Sequence, residues 1–248
     1  VTLLALDGVS KKFGEVVVAN NVTFQLAEGE SMGIVGPNGA GKTSLFGIIS
    51  GDLRPEEGTI TLGGLNMLSL SPSKRTHAGI GRTYQVPRPF EHMTVFENVV
   101  VAAQQGANLR RQGAYDAAYA SLVTTGLAEM SDRSAGSLGL LHRKRLELAR
   151  ALATGPRLLL LDEIAGGLTD PEVNELTTIV ASLQREGIAV IWIEHVVRAL
   201  VSTVSRLLCL ANGAVVADGS PQEVLASDAV RSVYLGGKTI ATGRLANS

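Results

Sequence analysis

The chain has 248 residues, a formal net charge of −1, 45% hydrophobic and 18% charged side chains, and one cysteine. This length supports a sizeable core, or a core carrying a subdomain, and balanced charge without a Lys/Arg block argues against nucleic acid as the main partner. Lone Cys209 in an apolar setting fits a reducing cytosol; with no apolar run near the roughly 20 residues that span a bilayer, and no basic segment leading into an apolar one at the start, the sequence predicts a soluble protein that meets membranes only through another subunit.

Residues 3 to 26 alternate short apolar runs (LLAL, EVVVA, VTFQL) with breaks at Asp7-Gly8, Phe13-Gly14 and Asn20-Asn21. This pattern predicts small antiparallel strands. SMGIV, from Ser31 to Val35, reads as a buried strand, and TSLFGIIS, from Thr43 to Ser50, has helical spacing at Leu45, Ile48 and Ile49. GTITLGG (58 to 64) is a further short strand, and Ser71 to Ala78 a brief helix with Pro72 at its first position. GIGRTYQ, from Gly79 to Gln85, is strand-like and stops at two prolines, which enforce extended backbone.

From Thr94 to Thr125 two helical stripes follow, Val95, Val99, Ala102 and Ala103, then Tyr115, Ala118, Tyr119, Leu122 and Val123. A third helix carries Leu141, Leu148 and Leu152 on one face. RLLLLDE (157 to 163) suits a central parallel strand covered on both sides. A helix from about Pro171, a strand IAVIWIE (188 to 194), a short helix to about Leu200, and a strand RLLCL (206 to 210) ending in an Asn212-Gly213 turn complete the order. Such alternation predicts an α/β class: residues 1–85 hold an N-terminal antiparallel β subdomain and the first part of a core with a mostly parallel sheet flanked by helices, 86–154 an inserted helical subdomain, 155–236 the rest of the core, and 237–248 a polar, disordered tail.

Gly36 to Thr43, GPNGAGKT, lies between the strand at 31–35 and the helix that follows. Glycines at 36, 39 and 41 let successive backbone N–H groups point into one cavity, where the helix N-terminus adds positive potential. The stretch reads as a phosphate-binding loop, in which Lys42 is expected to reach the β- and γ-phosphates and the Thr43 hydroxyl to take a place on Mg²⁺. Asp162 and Glu163 close the LLLLDE run, at the strand end where open α/β sheets place ligands. Asp162 is expected to hold Mg²⁺ through water, and Glu163 to orient or deprotonate the water that attacks the γ-phosphate. His195 ends the neighbouring strand and can hydrogen-bond the γ-phosphate. Gln85, at a hinge before the prolines, can offer its side-chain oxygen to Mg²⁺ or to the attacking water.

These four features, in the chain order phosphate loop, Gln85, Asp162-Glu163 and His195, resemble the nucleotide-binding subunits of ABC transporters, over nearly the whole chain to about Gly236. The resemblance implies a P-loop ATPase that binds ATP and Mg²⁺, with Asn38, Gly39, Ala40, Gly41, Lys42, Thr43 and Ser44 around the phosphates. It points to Phe13 as the aromatic residue that stacks on adenine, with Val18 as its apolar neighbour. GRTYQVPRPFEHMTVFENVVVAA and the closing VVADGSPQEVLASDAVRSVYLG are similar to the importer subgroup serving branched-chain and other hydrophobic amino acids or small amides. Implied partners are a second ATPase subunit docked head to tail, two membrane permease subunits and a periplasmic or extracellular solute-binding protein; the implied location is the cytoplasmic face of the cell membrane.

One family motif departs from its pattern. The family's Ser- and Gly-rich signature, whose backbone donors meet the γ-phosphate bound to the opposite subunit, falls on Leu138 to His142, LGLLH, with Gly139 where serine is usual and Leu140 and Leu141 where at least one glycine is expected. A missing hydroxyl removes a phosphate donor and a leucine hinders close backbone approach; Arg143 or Lys144 is a candidate for replacing the charge. The departure favours an asymmetric heterodimer. Thr169 stands where many relatives have Asp, and Ile164 where proline is frequent. Alternatives are a soluble regulatory or translation-associated ABC ATPase, though only one cassette is present, and an ATP sensor with little hydrolysis. GTPases and small kinases lack support, since no NKxD guanine motif occurs.

Overall fold

The computed structural model describes residues 1–195 and 197–234; the tail 237–248 lies outside them. Two sheets share one apolar core. Strands β1 (Thr2–Phe13), β2 (Val16–Ala27), β4 (Glu57–Leu62) and β5 (Leu65–Asn66) form an antiparallel sheet in the order β2-β1-β4-β5. The small strands expected over 3–26 are instead two of 12 residues each. Their polar breaks are absorbed as irregularities in one continuous ladder: the register shifts between Leu6 and Val9, and Gly8 and Asn21 both take positive φ, at 63° and 50°. The Gly8 amide donates to Thr23 Oγ1 and the Asn21 amide to Ser10 Oγ, so the bulged backbone stays hydrogen-bonded. Only the Phe13-Gly14 break is a true turn.

The second sheet has β3 (Ser31–Val35), β6 (Ile80–Arg82), β7 (Leu158–Asp162), β8 (Ala189–Ile193), β9 (Arg206–Ala211) and β10 (Ala214–Gly219), in the order β10-β9-β3-β8-β7-β6. Its neighbours are parallel except β10, which returns antiparallel from β9. Every residue of β3, β7 and β8 is buried, as their unbroken apolar runs require for strands covered on both faces. Alternation then sorts the side chains. Leu158, Leu160, Ile191, Ile34 and Leu208 pack toward helix α1 (Lys42–Ser50) and the antiparallel sheet. Leu159, Leu161, Trp192, Leu207 and Cys209 pack against α6 (Asp170–Arg185), which presents Val173, Leu176, Val180 and Leu183.

Between β6 and β7 run α3 (Val95–Gly106), α4 (Gln112–Thr124) and α5 (Leu140–Leu152), following the brief helix α2 (Pro72–His77). They enclose their own cluster of Val95, Val99, Ala103, Ala118, Leu122, Leu146 and Ala149. Helix α5 serves two cores at once, because Leu148 and Ala151 turn to the sheet while Leu146 and Ala149 turn to α3 and α4. Tyr115, Tyr119 and Val123, expected in the buried stripe of α4, are exposed; Ala114, Ala118 and Leu122 form the packed face. Short helices α7 (Val197–Val201) and α8 (Pro221–Ala226) follow β8 and β10.

Candidate functional site

Parallel pairing brings the carboxyl ends of β3, β7 and β8 to one edge, with Asp162 in register with Ile193. The loop after β3 curls there because its glycines permit it. A Cβ on Gly36 would sit 2.1 Å from the Leu210 carbonyl oxygen, and one on Gly41, at φ 99°, 2.1 Å from that of Val18. No other residue fits such a close approach. Lys42 folds back over the loop, donating to the carbonyls of Gly36 at 2.8 Å and Pro37 at 3.1 Å. Burial pulls its ammonium below the ordinary value, opposed by Glu163 and Asp162.

Glu163 holds φ at 48°, uncommon for a residue with a side chain, while its amide still donates to Ile193 O at 2.9 Å. This backbone turn aims the carboxylate at two partners. Gln85 Nε2 donates to Glu163 Oε2 at 2.5 Å, and His195 Nε2 lies 2.7 Å from Glu163 Oε1. Behind it, Lys144 Nζ of α5 donates to the Glu163 carbonyl at 3.2 Å. Glu194 is buried on the other face, accepting from the Ala165 amide at 2.5 Å and Trp192 Nε1 at 3.3 Å; desolvation raises its pKa.

A cavity of about 670 Å³ opens over the loop, lined by Val16, Val18, Asn38, Gly39, Ala40, Gly41, Lys42, Thr43, Ser44, Gln85, Glu163 and His195. It gathers eleven of the expected residues. Two others stand apart: Asp162 lines an adjoining space of about 490 Å³ that shares Thr43 and Gln85, and Phe13 lies outside both, half exposed with Lys11 Nζ 5.0 Å from its ring centre. The aliphatic wall of the main cavity comes from Val16 and Val18 of β2. Val16 had no sequence signal beyond following a Gly turn.

Asp162 is buried, and its Oδ2 lies 3.4 Å from Arg82 Nη2 while Oδ1 has no hydrogen-bond partner among the described residues. An orphaned, buried carboxylate oxygen beside a phosphate loop, with a threonine hydroxyl nearby, fits the oxygen donor set that Mg²⁺ takes. Desolvation pushes the Asp162 carboxyl up, opposed chiefly by Arg82. Arg82 was missed from the sequence; the available signal was a lone guanidinium inside a short strand, three residues before Gln85.

The LGLLH segment enters α5 with Gly139 as its N-cap, at φ −70° and ψ 170°. Leu138 is buried, Leu140 is 46% exposed and Leu141 half-buried. Neither basic residue stands free to replace the missing donor: Arg143 donates to the carbonyls of Leu138 and Gly136, both at 2.8 Å, and Lys144 is turned to Glu163.

A glycine-lined loop between a buried strand and a helix, with carboxylates at the end of a parallel strand two places away in the sheet, defines a P-loop nucleoside-triphosphatase. A family model for the ABC transporter matches residues 19–166, and one for the branched-chain amino acid ATP-binding cassette transporter matches residues 214–239. The chain belongs to the ABC transporter family and is an ATP-binding, ATP-hydrolysing cassette of it. It is 34% identical to the high-affinity branched-chain amino acid transport ATP-binding protein BraF of Pseudomonas aeruginosa and 35% to LivG of Salmonella typhimurium, each over 94% of this chain and 98% of the relative. It is also 35% identical to the lipopolysaccharide export system ATP-binding protein LptB of Acidithiobacillus ferridurans, over 94% of this chain and 97% of the relative. Among solved structures it resembles the ADP conformation of MJ1267, an ATP-binding cassette of an ABC transporter, with TM-score 0.87 and 28% identity over 95% of this chain and 99% of that one. No helix among the described residues is long and apolar enough to cross a membrane.

Proposed function

We propose that this cassette powers import of branched-chain or other hydrophobic amino acids, or small amides, through two partner permease subunits fed by a solute-binding protein. The observation that carries the substrate class is the match of residues 214–239 to the branched-chain family, joined to the likeness to BraF and LivG. The chain then works as a peripheral subunit on the cytoplasmic face, with a helical unit over 86–154 set between the two parts of the ATPase core, 1–85 and 155–236. ATP lies with its phosphates against Asn38 to Ser44 and its base toward Val18 and Phe13. Lys42 neutralises the β- and γ-phosphate charge, and Thr43, Asp162 and Gln85 hold Mg²⁺, which when bound offsets the phosphate charge. Glu163, fixed between Gln85 and His195, takes the proton of the attacking water. His195 Nε2 then stands beside the departing phosphate.

The likeness to LptB supports a second reading, energising lipid export. Assembly with candidate permease subunits of each kind, followed by ATPase assays in vesicles, separates the two. Stimulation by amino-acid-loaded binding protein is expected, abolished by Glu163→Gln. Stimulation by lipopolysaccharide instead overturns the importer reading.

A further inference from the structure

Arg82 of β6 occupies a position that no phosphate-loop chemistry requires. Its register explains where it points: Arg82 pairs with Leu160, so its side chain lies beside Leu160 and Asp162 on the face of the sheet that carries α1. Its side chain is 10% exposed. One nitrogen, Nη1, donates to Ser50 Oγ and Asp52 Oδ2, both at 2.8 Å, and Ser50 Oγ donates to the same Asp52 oxygen at 2.8 Å. The other, Nη2, reaches Asp162 Oδ2 at 3.4 Å. Aromatic rings flank the guanidinium, Tyr84 at 4.9 Å and Phe46 at 5.9 Å.

Ser50 is the last residue of α1, the helix that begins with Lys42 and Thr43. Arg82 therefore ties the far end of the phosphate-loop helix to the carboxylate at the end of β7. The planar fork has fixed geometry, so gripping Ser50 and Asp52 with one nitrogen aims the other at Asp162. Because Nη2 engages only Oδ2, Oδ1 is left buried and without a partner among the described residues, in a side chain that lines the same space as Thr43 and Gln85.

We infer that Arg82 is a positioning residue for the metal half of the site: the Ser50–Asp52–Arg82 chain holds Asp162 through Oδ2 and so keeps Oδ1 free for the divalent cation of the metal–ATP complex. This rests on the assignment of Asp162 to the metal. Partners of metal-ligating carboxylates commonly contribute tenfold to hundredfold in metal affinity. Arg82 does not line the cavity over the phosphate loop and its hydrogen bonds go to Ser50, Asp52 and Asp162, so its effect belongs to the metal and not to ATP itself.

The test is Mn²⁺ titration of the full chain followed by electron paramagnetic resonance at saturating ATP, beside ATP affinity measured in EDTA with a fluorescent ATP analogue. Arg82→Gln is expected to weaken Mn²⁺ binding about tenfold or more while metal-free nucleotide affinity stays within about twofold. Arg82→Lys should recover only part, because one ammonium cannot span both carboxylates. Asp52→Asn, which loosens the anchor without touching Asp162, should shift Mn²⁺ binding in the same direction by less, and it carries the test if Arg82→Gln does not fold. Asp162→Asn separates the two assignments. If it weakens Mn²⁺ binding while the Arg82 and Asp52 variants leave it unchanged, the positioning role is wrong and the metal site stands. If Asp162→Asn also leaves Mn²⁺ binding unchanged, both fall. Equal losses of Mn²⁺ and metal-free ATP affinity in Arg82→Gln would mark a merely structural role.

Discussion

Glu163 is gripped from both sides, by Gln85 Nε2 at 2.5 Å and His195 Nε2 at 2.7 Å, so replacing its carboxylate by an isosteric amide keeps the cavity's shape. Glu163→Gln is accordingly expected to lower kcat by about 10²–10⁴ with ATP binding retained, read by phosphate release beside equilibrium nucleotide binding. Loss of binding in parallel would mean that Glu163 serves the fold instead. Gly41→Ala should act in the opposite way. Its new Cβ meets the Val18 carbonyl oxygen at 2.1 Å with φ at 99°, and the backbone strain alone is worth about 1–3 kcal/mol. Both Tm and ATP affinity should fall together. Glu194 tests electrostatics on the far face of the sheet. Desolvation raises its pKa above the ordinary 4.5, so over the window from 4.5 up to the raised value the folded state binds more protons than the unfolded, and that contribution to stability is lost as pH rises. Glu194→Gln can still accept from Ala165 N and Trp192 Nε1. Relative to the parent it should gain stability as pH climbs through that window, in urea denaturation at a series of pH values; a difference that does not change with pH would refute the assignment.

At the scale of elements, α3 begins with a complete capping box: Thr94 Oγ1 accepts from the Glu97 amide at 3.1 Å, and Glu97 Oε2 from the Thr94 amide at 2.8 Å. Thr94→Ala should cost about 1 kcal/mol of stability, measured by chemical denaturation, and leave metal-free ATP affinity unchanged because no atom of the box lines the cavity. Thr169 and Glu172 show a related arrangement at α6, with Glu172 Oε2 accepting from both the amide and the hydroxyl of Thr169. This gives the threonine where Asp is common a local reason. Elements of this kind were legible because their signals are local. The strand at 31–35, the helix after it and the LLLLD strand all follow from runs of apolar residues. The paired 12-residue strands were not, because a Gly or Asn that reads as a turn in one dimension can be a bulge when a partner strand supplies Thr23 and Ser10 to receive its freed amides. The same limit hid Arg82. Nothing within ten residues of it marks Ser50, Asp52 and Asp162 as its neighbours; only sheet order does.

For the whole molecule, the asymmetry lies between the equipped phosphate site and the LGLLH segment. Lys42, Glu163, Gln85 and His195 converge on one cavity, whereas LGLLH, which the family resemblance sets against the nucleotide of a second cassette, offers Gly139 and two leucines at the start of α5. Leu140 projects there, 46% exposed, and Arg143 and Lys144 are committed to carbonyls of this same chain. A site completed by this segment would lack one hydroxyl donor and keep only the helix N-terminus. In a heterodimer, Glu163→Gln in this chain should therefore remove most of the assembled transporter's ATPase, and the corresponding change in the partner cassette little. Equal losses from the two single variants would sink the asymmetry. The geometry also allows the converse experiment. Gly139 has φ −70°, and nothing among the described residues lies within 4 Å of an added Cβ, so Gly139→Ser fits without strain and supplies a favoured N-cap. Combined with Leu140→Gly, it should raise turnover at the weak site, seen as ATPase that survives Glu163→Gln in this chain. No recovery would place the weakness in the partner's phosphate loop and not in LGLLH.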